Sequence, residues 1–218
     1  MLLNTNEHLP LARLLQFIEL GEHIAHECAH AQSELTLNRG IHRFLKEQAR
    51  QEAFHAKIFH TAIRWIAPRH LGPSPFTQPF KQYTHLIKSS LRRGDFYETI
   101  LAEQVILEGL GEVTLNKLEK GLLKRQAPFQ RLRRIFLQQE EAHHGFGNRI
   151  LERALAQHDI SEEYLQERAD DYLTLAEAMI TTGQELLVEI TEDPNWYLTE
   201  FHTSLPHWIH FSPSRAVA

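Results

Sequence analysis

Cysteine is almost absent from this sequence, in which Cys28 is the single example among 218 residues. One cysteine cannot form a disulfide within the chain, so the fold must be held together by packing. It also cannot form a cysteine cluster that binds a metal. A chain without disulfides is typical of a reducing compartment, and we therefore expect a cytoplasmic protein.

Long apolar runs and an excess of positive charge are also missing. No apolar run approaches the roughly 20 residues that cross a bilayer. The first ten residues, MLLNTNEHLP, lack the positive start and apolar core of a secretory signal. We therefore expect no stable membrane anchoring. The net charge of −5 with neutral histidines disfavours nucleic acid as a partner.

Helical periodicity is present along nearly the whole chain and predicts an all-α protein. Pro68 should end the second predicted helix, and Gly94 should end the short third helix. Asp159 or Ser161 should cap the last predicted helix. Four prolines between 68 and 79 indicate a loop. Residues after 194 have irregularly spaced aromatic side chains and fit no pattern. The predicted helices span about 10–35, 41–67, 81–93, 95–124, 128–157 and 160–192.

The order of these elements is a helix pair, a long crossover, a second helix pair and then further segments. One long crossover between two helix pairs is typical of one class of four-helix bundle. We expect a single domain over 1–218. Its core bundle should occupy about 10–157, with extra helices and a tail over 158–218.

A Gln-Glu-x-x-His pattern occurs once in each helix pair, as Glu52 with His55 and as Glu140 with His143. Residues three apart on a helix are neighbours, so each pattern offers one oxygen and one nitrogen to a shared metal ion. One such pair would be weak evidence, because both residue types are common on helix surfaces. Two pairs on apolar stripes are much stronger evidence.

An overlapping pair, Glu141 with His144, competes with Glu140 and His143. The repeated Gln-Glu-x-x-His pattern favours Glu140 and His143. Glu141 and His144 are turned about 100° further round the helix, towards a polar flank, and we expect a solvated face there. The apolar residues on the side of Glu140 and His143 are Leu132, Ile135, Phe136, Phe146 and Ile150.

The other two bundle helices should each supply one glutamate to a two-metal site. On the first helix, Glu22 lies about 40° from the centre of the apolar stripe and Glu19 about 100°, so Glu22 is favoured. On the third helix, Glu103, Glu108 and Glu112 are candidates, and the apolar neighbours favour Glu108. Glu112 could be a ligand or could support one.

The predicted ligand set is therefore Glu22, Glu52, His55, Glu108, Glu140 and His143. Buried carboxylates are costly unless they are paired or bind a metal. Mixed oxygen and nitrogen ligands suit iron or manganese better than soft metals. The alternative is that each glutamate only forms a hydrogen bond with the histidine beside it in a bundle core.

This pattern of Glu, Glu-x-x-His, Glu, Glu-x-x-His over about 10–157 resembles the ferritin-like di-iron carboxylate proteins. The resemblance implies two iron ions, with manganese an option at one or both positions. It also implies reductive activation of O₂, an external electron donor, and allows a homodimer. Phe146 and Gly147, shortly after His143, together with the additional helices, are similar to aldehyde-deformylating oxygenases.

Other branches of the superfamily fit less well. A ribonucleotide reductase small subunit would have its radical tyrosine about one turn after His55, where Phe59 stands. Classical ferritins lack the second Glu-x-x-His pattern, and rubrerythrins often carry a cysteine cluster that this chain cannot form.

We therefore expect an O₂-dependent di-iron oxidase or oxygenase that acts on a small, largely apolar organic substrate. The alternatives are a ferroxidase or peroxidase that handles Fe²⁺ or peroxide, and a helical bundle without catalytic activity. An apolar lining beside the metals would suit the first interpretation. The candidate lining residues are Phe17, Phe54, Phe59, Leu101, Val105 and Phe136.

Overall fold

The computed structural model describes residues 7–67, 71–72 and 74–209, and this part of the chain is helical, without strands. The all-α prediction is therefore confirmed. None of the helices in these ranges is both long enough and apolar enough to cross a membrane. In chain order they are α1 (His8–Leu35), α2 (Arg39–Ile66), α3 (Thr77–Arg93), α4 (Phe96–Ile100), a π-helical segment (Leu101–Leu107), α5 (Glu108–Lys124), α6 (Gln130–Ala156), α7 (Glu162–Thr182), α8 (Gln184–Glu189) and α9 (Pro194–Ser204).

Two helical hairpins form the bundle. A link of three residues joins α1 to α2, and the side chain of Asn38 caps α2 by accepting hydrogen bonds from Gly40 N–H at 2.9 Å and Ile41 N–H at 3.2 Å. The link from α5 to α6 ends at Phe129, whose φ of 66° is left-handed. Short links of this kind make consecutive helices antiparallel neighbours.

The crossover between the hairpins contains α3. This helix ends at Gly94, as predicted, because a φ of 72° suits glycine and stops the helical repeat. Asp95 then caps α4 by accepting a hydrogen bond from Glu98 N–H at 3.1 Å. Pro68, which we expected to end α2, lies outside the described residues, and α2 ends at Ile66.

The predicted helix over 95–124 consists of three successive parts, namely α4, the π-helical segment and α5. In the π-helical segment a backbone N–H pairs with the carbonyl five residues earlier instead of four. All seven of its residues are buried. The hydroxyl of Tyr83 on α3 donates a hydrogen bond to the carbonyl of Ala102 inside the segment, so the crossover helix supports the irregular backbone.

The predicted helix over 160–192 is divided at Gly183 into α7 and α8. The ring of Phe76 packs against Gly183 so closely that a Cβ there would lie 2.3 Å from the ring atom Cε1. Ser161 is the cap of α7, and its hydroxyl accepts a hydrogen bond from Tyr164 N–H at 3.2 Å. The alternative cap, Asp159, does not have this role.

The part of the tail without a sequence pattern forms α9. Asp193 caps this helix by accepting a hydrogen bond from Asn195 N–H at 3.0 Å, and Pro194 occupies the first turn, where its missing N–H costs nothing. Residues 210–218 of the predicted tail lie outside the described residues. The buried residues of α7 and α9 join the same apolar core as those of the bundle, so the added helices cover one side of it.

Candidate metal centre

The six predicted ligands come from all four bundle helices and meet in the interior. Within this set no residue is more than 6% exposed. Their ligand atoms form two groups, and within each group all atoms lie within 4.8 Å of one another. The groups are Glu22, Glu52, His55 and Glu140, and Glu52, Glu108, Glu140 and His143. Glu52 and Glu140 belong to both groups and therefore lie between two candidate metal positions.

The Nδ1 atoms of both histidines face the carboxylates. Nδ1 of His55 lies 2.8 Å from Glu140 Oε1, 3.1 Å from Glu52 Oε2 and 3.3 Å from Glu22 Oε2. Nδ1 of His143 lies 2.7 Å from Glu52 Oε1, which is on the other motif helix. Glu52 and His55 form the hydrogen bond expected inside a Glu-x-x-His pair. Both histidines also contact glutamates of other helices, so hydrogen bonds inside the two pairs alone do not describe the cluster.

The glutamine before each Glu-x-x-His pair holds the histidine of the opposite helix. Oε1 of Gln139 lies 2.9 Å from Nε2 of His55, and Oε1 of Gln51 lies 2.8 Å from Nε2 of His143. An amide oxygen only accepts, so each Nε2 must carry the hydrogen and each Nδ1 is left for a metal or a carboxylate. Both glutamines belong to the Gln-Glu-x-x-His pattern, but the pattern alone did not predict these contacts between helices.

Burial and mutual contact shift the acidities of the cluster. Burial raises the pKa of the Glu22 and Glu108 carboxyl groups well above the ordinary value. Burial alone would lower the pKa of His55, but the carboxylates of α1, α2 and α6 raise it to about 12. Burial also opposes ionisation of Glu52, yet the imidazole of His143 lowers the pKa of that carboxyl. A metal that binds here would displace protons from several of these groups.

The oxygen and nitrogen atoms of the cluster are arranged for binding two metal ions better than for forming hydrogen bonds with one another. Glu22 Oε2, Glu52 Oε1, Glu140 Oε1 and His143 Nδ1 are buried, and the close contacts that they make inside the cluster do not have hydrogen-bond geometry. Two ligand atoms about 2.1 Å from one ion and at right angles to each other are about 3 Å apart. The contacts of 2.7–3.3 Å in the cluster match this spacing. Four carboxylates would also balance the charge of two divalent ions.

Glu103 is a buried acid beside the cluster that sequence reasoning named as a candidate but did not favour. It is 0% exposed, and its Oε1 accepts a hydrogen bond from Gln48 Nε2 at 3.4 Å. The same Gln48 nitrogen donates to Glu108 Oε1 at 3.2 Å. Regular α-helical spacing would separate the two glutamates by about 140°, and the π-helical segment brings them onto one side.

Two of the less favoured candidates lie outside the cluster. Glu19 accepts a hydrogen bond from Nδ1 of His60 at 3.0 Å near the surface, where the His60 side chain is 62% exposed. Glu141 is exposed on α6, as we expected for the polar flank. The structure therefore favours Glu22 over Glu19 and Glu140 over Glu141.

The expectation of a solvated face is wrong for His144. Its side chain is buried, its Nδ1 lies 2.7 Å from Glu112 Oε2, and its Nε2 lies 3.3 Å from Asn148 Nδ2. A Cβ at Gly109 would lie 3.4 Å from Nε2 of His144, so α5 and α6 pack closely around this pair. His144 and Glu112 therefore pair with each other instead of joining the two ligand groups.

A groove between α2 and α6 leads to the outer side of both histidines. It contains two cavities of about 180 Å³ and 240 Å³, beside His55 and His143 respectively. Their walls are mostly apolar, and Gln51 and Gln139 line both. The apolar residues that line one or both cavities are Phe44, Phe54, Ile58, Leu132, Ile135, Phe136 and Ala142.

The predicted apolar lining is correct only in part. Phe54 and Phe136 line the first cavity, but Phe54 is 56% exposed. Leu132 and Ile135 were expected on a buried stripe and are instead 45% and 44% exposed, because this side of α6 faces the groove. The remaining candidates, Phe17, Phe59, Leu101 and Val105, are core residues.

Comparison with known proteins identifies the fold. No protein-family model and no curated protein matches the sequence. Among solved structures, a Synechococcus protein described as protein 19 with aldehyde deformylating oxidase activity matches with a TM-score of 0.77. The match covers 92% of this chain and 89% of that chain at 16% sequence identity.

The fold is ferritin-like. The predicted four-helix bundle with one long crossover and additional C-terminal helices is thereby confirmed. At 16% identity the likeness concerns the fold alone, and fold does not fix function. The activity must be argued from the buried cluster and the space beside it.

Proposed function

We propose that this protein is a di-iron oxidoreductase that uses O₂ and an external electron donor to oxidise a small, largely apolar organic molecule. The observation that carries the proposal is the pair of buried ligand groups that share Glu52 and Glu140. Two iron ions bound there would supply the O₂ binding and electron transfer that amino-acid side chains lack. The oxygen and nitrogen donors suit iron, and manganese at one or both positions is the alternative.

The protein residues would hold and orient this centre. The glutamates and histidines of both groups would be the ligands, and Gln51 and Gln139 would keep each Nδ1 directed at the metals. The ring of Phe136 packs on His55 with centroids 4.1 Å apart, and Phe44 stacks on Phe146 at 4.0 Å beside His143. These rings cover the two histidines, each of which is 1% exposed.

The cavities beside the two histidines support an apolar substrate. Together they offer a few hundred Å³, enough for a small organic molecule. The Synechococcus protein is described by its aldehyde deformylating oxidase activity, which makes medium-chain aldehydes a sensible first choice, followed by fatty acids.

The proposed oxygenation requires electrons and protons from outside the protein. Transfer of one oxygen atom of O₂ to the substrate and release of the other as water consumes two electrons and two protons. No flavin or haem is needed for this balance if a separate protein or small reductant supplies the electrons. The reducing cytoplasm, which we infer as the location, would supply such donors and preserve the thiol of Cys28.

Metal loading and O₂ uptake test the proposal. Protein loaded with Fe²⁺ without air should hold about two ions per chain. It should then consume O₂ once on mixing with air and repeatedly only with an electron donor, and faster when a suitable aldehyde or fatty acid is present. Mass spectrometry in ¹⁸O₂ would detect the oxidised product.

Three results would contradict the proposal. Continued oxidation of added Fe²⁺ to a ferric mineral, without any substrate effect, would indicate a ferroxidase. Turnover of peroxide alone would indicate a peroxidase. Failure to bind Fe²⁺ or Mn²⁺ would indicate a helical bundle without catalytic activity.

A further inference from the structure

Glu103 occupies a special place in the π-helical segment. It lies five residues before Glu108, and the backbone N–H of Glu108 donates to the carbonyl of Glu103. This five-residue repeat places the two side chains next to each other on the side that faces Gln48. The irregular helix therefore adds a further carboxyl group beside the ligand group that contains Glu108.

The Glu103 carboxyl group is only half satisfied. Gln48 Nε2 donates to Glu103 Oε1, and no donor among the described residues reaches the buried Oε2. The other polar group against Glu103 is the carboxyl group of Glu108, itself an acid, and no cationic side chain of the described residues forms an ion pair with Glu103.

A purely structural role would not require a glutamate at this position. Glutamine has the same shape, accepts the hydrogen bond from Gln48 equally well and avoids the cost of a buried acid. A buried acid with one carboxylate oxygen unpaired and no cation beside it therefore destabilises the metal-free fold. Binding to a metal ion is a usual way to offset the free-energy cost of burying a carboxylate.

We propose that Glu103 is a seventh protein ligand, which shares with Glu108 the coordination of the ion held by Glu52, Glu140 and His143. The proposal rests on the proposed function only in requiring a metal pair. With Glu103 ionised, five carboxylates would surround four positive charges. The excess negative charge would favour the ferric state over the ferrous state, and would make this position differ from the one beside Glu22.

Replacement of Glu103 by glutamine should have opposite effects on two measurements. The thermal unfolding midpoint of the metal-free Glu103→Gln protein should equal or exceed that of the unmodified protein. Its affinity for the second Co²⁺ ion should fall at least about tenfold, since even residues that only support a ligand cause losses of this size. The Co²⁺ absorption spectrum of that site should also change.

Glu112→Gln is the matched control, because Glu112 follows Glu108 by one turn and pairs with His144. This variant should bind two Co²⁺ ions with unchanged affinity and an unchanged spectrum. A second test variant, Glu103→Asp, retains the charge but shortens the side chain. It should also lose affinity for the second ion.

The outcomes separate this inference from the proposed function. Unchanged Co²⁺ affinity and spectrum in Glu103→Gln would overturn the role of Glu103 while leaving the metal pair intact. Loss of folding in metal-free Glu103→Gln would overturn it too, because Glu103 would then be a structural residue. Failure of the unmodified protein to bind two ions would instead contradict the metal centre itself.

Discussion

Glu140 contributes to both ligand groups, so its removal takes an oxygen donor from each metal position. We expect Glu140→Ala to reduce bound iron from about two ions per chain to less than one, measured by elemental analysis after anaerobic loading. Glu141→Ala is the control, because Glu141 is exposed and its removal should leave metal binding unchanged. Equal losses in the two variants would show that the ligands lie on a different face of α6.

Gln139 acts on the metal through a histidine. Its amide oxygen fixes the hydrogen on Nε2 of His55, so Gln139→Leu should allow the ring to turn and should weaken metal binding by roughly 10- to 100-fold. Competition with a chelator would measure this. Gln138→Leu places the same change at an exposed neighbour and should have no effect, and a similar loss there would indicate damage to the helix.

Helical periodicity was sufficient to select most of the cluster, because α1, α2 and α6 follow the regular repeat of 100° per residue. It could not place Glu103, since a π-helical backbone changes that angle. It also misplaced His144, whose polar flank is covered by α5. The apolar residues Leu132 and Ile135 mark a groove instead of the core, and periodicity cannot distinguish these surroundings.

The π-helical segment is the element whose geometry depends most on its neighbours. Its sequence, LAEQVIL, is compatible with an ordinary α-helix, so no local pattern could have predicted it. Its surroundings select the wider repeat: Tyr83 bonds the carbonyl of Ala102, and α6 approaches Gln104 so closely that only glycine fits at 147.

The approach of α6 to the π-helical segment leads to a paired prediction. A Cβ at Gly147 would lie 2.5 Å from Cβ of Gln104 and 3.2 Å from its backbone carbon. Gly147→Ala should therefore destabilise the metal-free protein by about 1–3 kcal/mol, measured by urea unfolding.

Gly111→Ala is the control for helix propensity, because nothing lies within 4 Å of a Cβ at that position. This substitution should stabilise α5 by about 0.5–1 kcal/mol. If both variants shift stability in the same direction, the close contact between α6 and the π-helical segment does not exist in solution.

The whole molecule should respond to pH through its buried cluster. Without metal, burial raises the pKa of Glu22, Glu103 and Glu108 above the ordinary 4.5, and carboxylate contacts raise that of His55 to about 12 against 6.5. The folded chain then binds more protons than the unfolded chain. The stabilising contribution of the carboxyl groups is therefore fully present below pH 4.5, and that of His55 below pH 6.5. Both contributions are lost as the pH rises.

Urea unfolding of chelator-treated protein between pH 5.5 and 8.5 would test this response. The free energy of unfolding should fall across the range, whereas Glu52, whose pKa is lowered, acts in the opposite sense only below about pH 4.5. Metal-loaded protein should not show the fall, because the ions replace the protons. A rise with pH in the metal-free protein would contradict the cluster described above.

The overall arrangement was predictable because it depends on link lengths and apolar stripes. Short links define the two hairpins, and a long proline-containing segment defines the crossover. The end of the chain was less predictable, since α9 is short and its aromatic residues pack on several elements. Gly183 divides α7 from α8 through contact with Phe76. Because Phe76 is distant in sequence, no local sequence pattern could predict this division.

The close contact at Gly147 also has a consequence for motion. On one side the backbone of α6 touches Gln104, and on the other Gln104 exchanges hydrogen bonds of 2.7 Å and 3.1 Å with Gln32. Displacement of the π-helical segment in either direction would disrupt one of these contacts. Rearrangement of Glu103 and Glu108 around a metal must then occur by rotation about side-chain bonds, without waiting for the microsecond-to-millisecond shifts of whole helices.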